Sequence, residues 1–403
     1  MESYRLKNGL KVILDRRATK TVAVEVNVKV GSNYETNKLA GISHFIEHLV
    51  FDGTKKRPTA MQISNEIERL GGEFNAATSN ERTFYYIKVL SKHIEIALDI
   101  LSDIIFNPEF SEENIEKEKR IIIDEINLVN DQPRHYQWIF FQKNLFVKHP
   151  AKNPIYGSTS AIKGIGRNDI LGYYNTHYIP DNITLVIVGG FRDSIKERIS
   201  FYFGSHQRHS KNKSVFKNEP EQKKTKIVRT KLPINQSYIV LGYKTPPRHS
   251  KESYVLDVIR AILGRGQSGK LFDEIRNKLG LAYDVGVYHN PNVDFGVFAV
   301  YASTQKKHIK KIVSIIQRQI QELRHISKSE LETAKNFLEG EFLLHTEDNQ
   351  RMADVLAFWD TANCRSRVEE YIKSIKRVSC MDVANTMKKY LGKNYTLVVL
   401  EQK

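Results

Sequence analysis

The chain has 403 residues, 40% of them hydrophobic and 27% charged, with a formal net charge of +16. That length suits two domains of about 200 residues better than one, and no apolar run approaches the ~20 residues of a bilayer-spanning helix. Two cysteines, Cys364 and Cys380, exclude a disulfide framework.

The positive charge is dispersed, with only short clusters such as Lys223-Lys224 and Lys306-Lys307. No nucleic-acid-binding motif accompanies it, so it reads as solvated surface, and neither nucleic acid nor a membrane is an expected partner. The opening MESYRLKNGLKVIL lacks the apolar core of a signal peptide and the Arg- and Ser-rich character of a transit peptide. With so few cysteines the expected compartment is the cytoplasm.

In chain order, Tyr4–Asp15 and Val22–Val30 alternate with period two and predict strands. A helix is expected within Leu39–Thr54 and a second over Met61–Leu70, stopped by Gly71-Gly72. Phe74–Val89 reads as two further strands, Ile94–Ile105 as a helix closed by Asn107-Pro108, and Ser111–Asn130 as a long helix with Ser111 as its N-cap. Helices over Gln137–Phe146 and Asn168–Tyr178 lead to a buried strand, Thr184–Val188.

The polar stretch 205–226 then separates two domains, 1–204 and 227–403. His206 and His209 within it read as a solvated pair. The second half repeats the order of the first. Strands Lys226–Thr230 and Gln236–Tyr243 precede helices Tyr254–Leu263 and Lys270–Lys278, strands Tyr283–His289 and Gly296–Ser303, and helices Lys306–Arg324 and Ser329–His345. Its last strand, TLVVL (Thr396–Leu400), echoes TLVIV of the first half. The expected fold class is α+β: two duplicated domains, each a mixed, largely antiparallel sheet with helices packed on one face.

On a helix, His44, Glu47 and His48 fall at i, i+3 and i+4 and share one face. Two neutral imidazoles at that spacing grip one divalent ion, commonly zinc, and the glutamate stands where a base takes a proton from water at the metal. The order H-x-x-E-H reverses the H-E-x-x-H of zinc peptidases. Three fixed positions are a short signal, and the pattern needs a third ligand. Helix Ser111–Asn130 carries Glu118 and Glu125, two turns apart on one face with Ile121 and Ile122 between them. Glu125 would complete a His2Glu site with a fourth position left for water, and Glu118 would support it from one step further out. On periodicity alone, the same helix reads equally as one with solvated glutamates.

HFIEHLVFDGT, with Glu125 separated from His48 by 76 residues, Glu118 seven before it, NGLKVIL, GGEFNAATSNERTFYY, HYIPDNITLVIVGG and GKLFDEIRNKLGLAYDV, together resemble the inverzincin family of pitrilysin-type (M16) zinc peptidases, in its short ~45 kDa form. The resemblance spans nearly the whole chain. It implies a zinc endopeptidase with one Zn2+ per chain held by His44, His48 and Glu125, Glu47 as general base and Glu118 as supporting glutamate. Arg276 and Tyr283 match the pair that binds substrate and stabilises the tetrahedral intermediate; by themselves they read as a salt-bridged helix arginine and a strand tyrosine. Asn75 and Ala76 match the strand that captures extended peptide by β-augmentation. The implied substrates are peptides or unfolded segments, and the implied assembly is a homodimer, with a heterodimer with a related subunit as the alternative. A non-catalytic or partner-dependent subunit is the competing reading. Gly264–Lys270 satisfies G-x-x-x-x-G-K, but Leu271 stands where a phosphate loop needs Ser or Thr, and a helix precedes it.

Overall fold

The structure is a computed structural model of the chain and describes residues 1–207, 219–364 and 368–403. His209, and with it residues 208–218 of the polar stretch, lies outside the described residues. Among the described residues, no helix is long and apolar enough to cross a membrane. The chain forms two compact units.

The first unit is built on a six-stranded sheet. Its strands are β1 (Glu2–Arg5), β2 (Lys11–Arg16), β3 (Thr21–Val28), β4 (Glu73–Thr78), β5 (Thr83–Leu90) and β6 (Ile183–Gly189), in the order β1-β2-β6-β3-β5-β4. Only β2 and β6 run parallel. Alternation in β3 sends Val22, Val24, Val26 and Val28 into the core, where each buried valine contributes about 1.5–3 kcal/mol. Helices α1 (Ile42–Leu49), α2 (Ala60–Glu68) and α3 (Ile94–Phe106) and the first four turns of α4 (Glu112–Asp131) supply the facing apolar stripes: Phe45, Ile46, Ile63, Leu101, Ile115 and Ile122 all join this core. Ser111 caps α4 as expected, its hydroxyl accepting from the Asn114 N–H at 3.2 Å.

The second unit repeats the plan. Strands β7 (Lys226–Leu232), β8 (Ser237–Thr245), β9 (Ala282–Pro291), β10 (Gly296–Thr304) and β11 (Thr396–Gln402) are ordered β7-β11-β8-β10-β9, again with one parallel pair, β7 and β11. Strand for strand this is the order of β2 to β6, and TLVIV and TLVVL occupy equivalent positions.

The expected α+β duplication is therefore present, with one addition. The units are not the two halves in chain order: residues 345–361 belong to the first and 128–152 to the second. In each half a 20-residue helix is followed by a 13-residue one, and it is the 13-residue helix that changes unit. Helix Asn349–Thr361 lies on the sheet face opposite the valines, so both faces of the first sheet are covered. Helix α5 (Pro133–Leu145) packs on β8 and β11, where Phe141 presses on Gly242 so closely that a Cβ there would stand 2.5 Å from the ring.

Helix α1 starts at Gly41, whose φ of 95° is the left-handed region that L side chains avoid. The carboxylate of Glu35 accepts from the Gly41 and Ser43 N–H groups at 2.7 and 2.9 Å, meeting donors that the helix start leaves unpaired. A Cβ at Gly41 would also stand 2.5 Å from the Tyr156 carbonyl oxygen. Gly41→Ala is expected to destabilise the chain by about 1–2 kcal/mol from the dihedral alone, and by more with the collision. Chemical denaturation reads this, and an unchanged midpoint would refute the account of how α1 begins.

Candidate metal centre

One turn of helix brings His44 and His48 side by side, with ring centroids 4.7 Å apart and their Nε2 atoms 3.3 Å apart. From α4, Glu125 Oε2 lies 3.6 Å from His44 Nε2 and 3.8 Å from His48 Nε2. These are the residues among those described whose ligating atoms gather into a possible metal site. A tetrahedral zinc with bonds of 2.0–2.1 Å separates neighbouring ligand atoms by about 3.3–3.4 Å. The donor set and its spacing therefore fit such an ion.

The surroundings decide which nitrogen faces the group. Glu118 Oε2 is 2.9 Å from His48 Nδ1 and accepts its proton, leaving Nε2 with its lone pair turned to His44 and Glu125. Burial tends to push the Glu118 carboxyl up, but hydrogen bonds from His48 and Lys117 hold it below the ordinary glutamate value. Burial, reinforced by the charge of His48, lowers His44 to about 4 and keeps it neutral. Burial also acts to lower His48, yet the bond it donates to Glu118 and the charges of Glu47, Glu118 and Glu125 outweigh it, and its pKa is raised. Metal and proton therefore compete for His48.

Glu47 is held by Thr78, whose hydroxyl donates to Oε2 at 2.6 Å. Burial raises its carboxyl against the downward pull of Thr78 and His48, the direction that suits a base working near neutrality. Thr78 ends β4, and β4 is the outer strand of its sheet, paired on one side with β5. Asn75 and Ala76 sit on it, and the Asn75 side chain accepts from the Ala76 N–H at 2.8 Å.

The glutamates of α4 thus face the histidines, while Glu113 and Asp124 are exposed. One part of the sequence reading is corrected: Ile121 is exposed at 45%, and the apolar flank comes from Ile122 and Ile126. Thr78 and Lys117 were not singled out by sequence; Thr78 lies inside the FNAATSN run, whereas a lysine before a glutamate carries no signal. Tyr173, Tyr174 and Tyr178 are packing residues, with the Tyr173 hydroxyl 2.9 Å from Ser43 on α1.

In the second unit Arg276 and Tyr283 come together. The guanidinium lies 4.5 Å from the Tyr283 ring centre and 4.8 Å from that of Phe272, and Tyr283 is 68% exposed. The G-x-x-x-x-G-K run follows helix Lys251–Gly264, and its Lys270 is paired with Glu330 at 2.6 Å.

Comparison with known proteins agrees with this geometry. A family model described as Insulinase (Peptidase family M16) matches residues 11–159, and one described as Peptidase M16 inactive domain matches residues 164–338. An uncharacterized zinc protease of Bacillus subtilis is 32% identical over 357 residues, covering 88% of this chain and 86% of its own. The chain belongs to peptidase family M16. An uncharacterized zinc protease of Rickettsia bellii is likewise 32% identical, over 94% of this M16 chain and 93% of its own. A solved protease from Helicobacter pylori shares the fold, with a TM-score of 0.93 over 99% of both chains at 24% identity. All three candidate ligands and Glu47 fall within the first matched segment, and none lies in the segment named inactive.

In the metal-free chain, an NMR titration is expected to place His44 near pH 4 and His48 above the ordinary histidine value. Because the folded state protonates His44 less readily than the unfolded state, its contribution to stability falls as pH drops from 6.5 toward about 4. His48 acts in the opposite sense, its contribution disappearing as pH rises through its folded value. Two rings titrating together near their ordinary value would contradict the arrangement.

Proposed function

We propose that this M16 chain is a zinc-dependent endopeptidase that hydrolyses peptides or unfolded polypeptide segments, with one zinc per chain and Glu47 as general base. The observation that carries the reading is the convergence of His44 Nε2, His48 Nε2 and Glu125 Oε2 to within 3.3–3.8 Å of one another, the two histidines lying on the helix that also carries Glu47. A zinc ion held by His44, His48 and Glu125 would supply Lewis acidity, making a water more acidic and polarising a carbonyl.

The chain's own residues do the rest. Glu47, oriented by the Thr78 hydroxyl at 2.6 Å, takes the proton of the attacking water and delivers it to the leaving amine. Glu118 keeps the proton of His48 on Nδ1. The outer strand β4 offers main-chain groups around Asn75 and Ala76 to an extended substrate, a pairing that gives affinity with weak sequence selectivity. It also brings that substrate toward Glu47, because Thr78 belongs to the same strand. Arg276 and Tyr283 carry, by the family resemblance, the role of donors to substrate and to the developing oxyanion, in this chain's site or in a partner chain's.

Glu47→Gln is expected to lower kcat on unstructured peptides by about 10²–10⁴-fold while the zinc content of the purified protein stays at the wild-type level. Peptide cleavage followed by mass spectrometry, beside elemental analysis, checks both. A variant that binds zinc and cleaves as fast as wild type would remove Glu47 from the mechanism. Wild type that carries zinc yet cleaves no peptide would favour a non-catalytic or partner-dependent subunit.

A further inference from the structure

Glu118 uses both of its oxygens. Oε2 takes the proton of His48 Nδ1 at 2.9 Å, and Oε1 lies 3.1 Å from Lys117 Nζ. The lysine is the neighbour of Glu118 on the same helix, and its long chain has no fixed course of its own. Asp52, three residues past the end of α1, supplies one: Lys117 Nζ also contacts Asp52 Oδ1, at 2.5 Å. The ammonium therefore bridges the segment after α1 to α4, the two elements that carry the three candidate ligands. The Asp52 and Glu118 side chains are each only 7% exposed, while Lys117 is 42% exposed.

We infer that Lys117, anchored by Asp52, is a positioning residue that fixes the Glu118 carboxylate and, through it, the ring of His48, so that this pair sets how tightly the His44–His48–Glu125 group holds its metal. The inference rests on the metal reading given above. Two carboxylates drawn out of water repel one another unless a cation lies against both. Without Lys117, Glu118 relieves that repulsion by swinging away from Asp52, which takes it off His48. A histidine that loses the acceptor on its far nitrogen is a less basic and less well-aimed ligand. The Lys117 side chain is 42% exposed, and methionine matches most of its length, so the substitution opens no large cavity.

The test measures zinc affinity of the metal-stripped full chain by competition with a chromophoric chelator, beside the melting temperature of the same metal-free samples. Lys117→Met is expected to weaken zinc binding about tenfold, within the 10–100-fold range for partners of metal ligands. Lys117→Arg, which keeps the charge and the reach, is expected to stay within about threefold of wild type, and Asp52→Ala to fall between the two. Metal-free melting temperatures should agree within about 2 °C. Unchanged affinity in Lys117→Met overturns the inference, and so does a loss of affinity that appears only together with a lowered metal-free melting temperature. A wild-type chain that binds no zinc overturns the metal reading itself, a result distinct from either.

Discussion

An imidazole can offer a lone pair from one nitrogen only when its proton resides on the other, and the structure around α1 is organised by that constraint. His48 meets it through Glu118, 2.9 Å from Nδ1. Burial keeps the His44 ring neutral down to about pH 4, so that one of its nitrogens retains a lone pair. Once both Nε2 atoms and Glu125 face one point, the separations of 3.3–3.8 Å place three electron-rich atoms against one another. A divalent cation is the partner that relieves that crowding at the least cost in desolvation. The left-handed start at Gly41, the Glu35 carboxylate on the first N–H groups and the Phe45 and Ile46 stripe all hold α1 in the one rotation that keeps its two histidines turned to α4.

The exchanged helices show the same duplicated plan solved with two kinds of physics. Helix α5 meets the second sheet through Phe141 and Leu145 against Val240, Ala299 and Val398, an apolar contact that tolerates small shifts. Helix Asn349–Thr361 meets the first sheet through charge. Asp360 pairs with Lys11 and with Lys29, Asp354 with Arg82, and Thr361 accepts from Asn27 at 3.0 Å. Glu25 beneath it is fully buried, and burial and the nearby Asp354 raise its carboxyl against the pull of Arg82. Buried ion pairs contribute little net stability, yet they punish a wrong register severely. The polar helix is thus specified rather than merely held.

Much of this was legible in the sequence because period and spacing carry it. Valines at every second position gave β3, glutamates seven apart gave one face of α4, and the TLVIV and TLVVL echo gave the duplication. What stayed hidden depends on partners distant in the chain. The sequence reading places no helix at Asn349–Thr361, and a division of the chain in sequence order misses both exchanged helices. Ile121 and Ile122 look alike to a pattern, and only the rotation of α4 sends the first to solvent. The bridge from Asp52 to Lys117 spans 65 positions with no motif to announce it.

Duplication also separates scaffold from chemistry. Helix Lys251–Gly264 follows β8 as α1 follows β3, yet it carries no histidine, and its buried acidic residue is Asp257. That aspartate is closed upon itself: it accepts from Arg248 at 2.8 Å and Tyr371 at 3.2 Å and lies 2.7 Å from His289 Nδ1. Each of its oxygens is taken by a protein donor, and these contacts hold its carboxyl well below the usual aspartate range despite burial. A closed network fixes a core. The first unit differs in leaving two nitrogens and a carboxylate oxygen convergent without enough donors among themselves to satisfy them. The same topology therefore carries a structural polar cluster in one copy and a group that could hold a metal in the other.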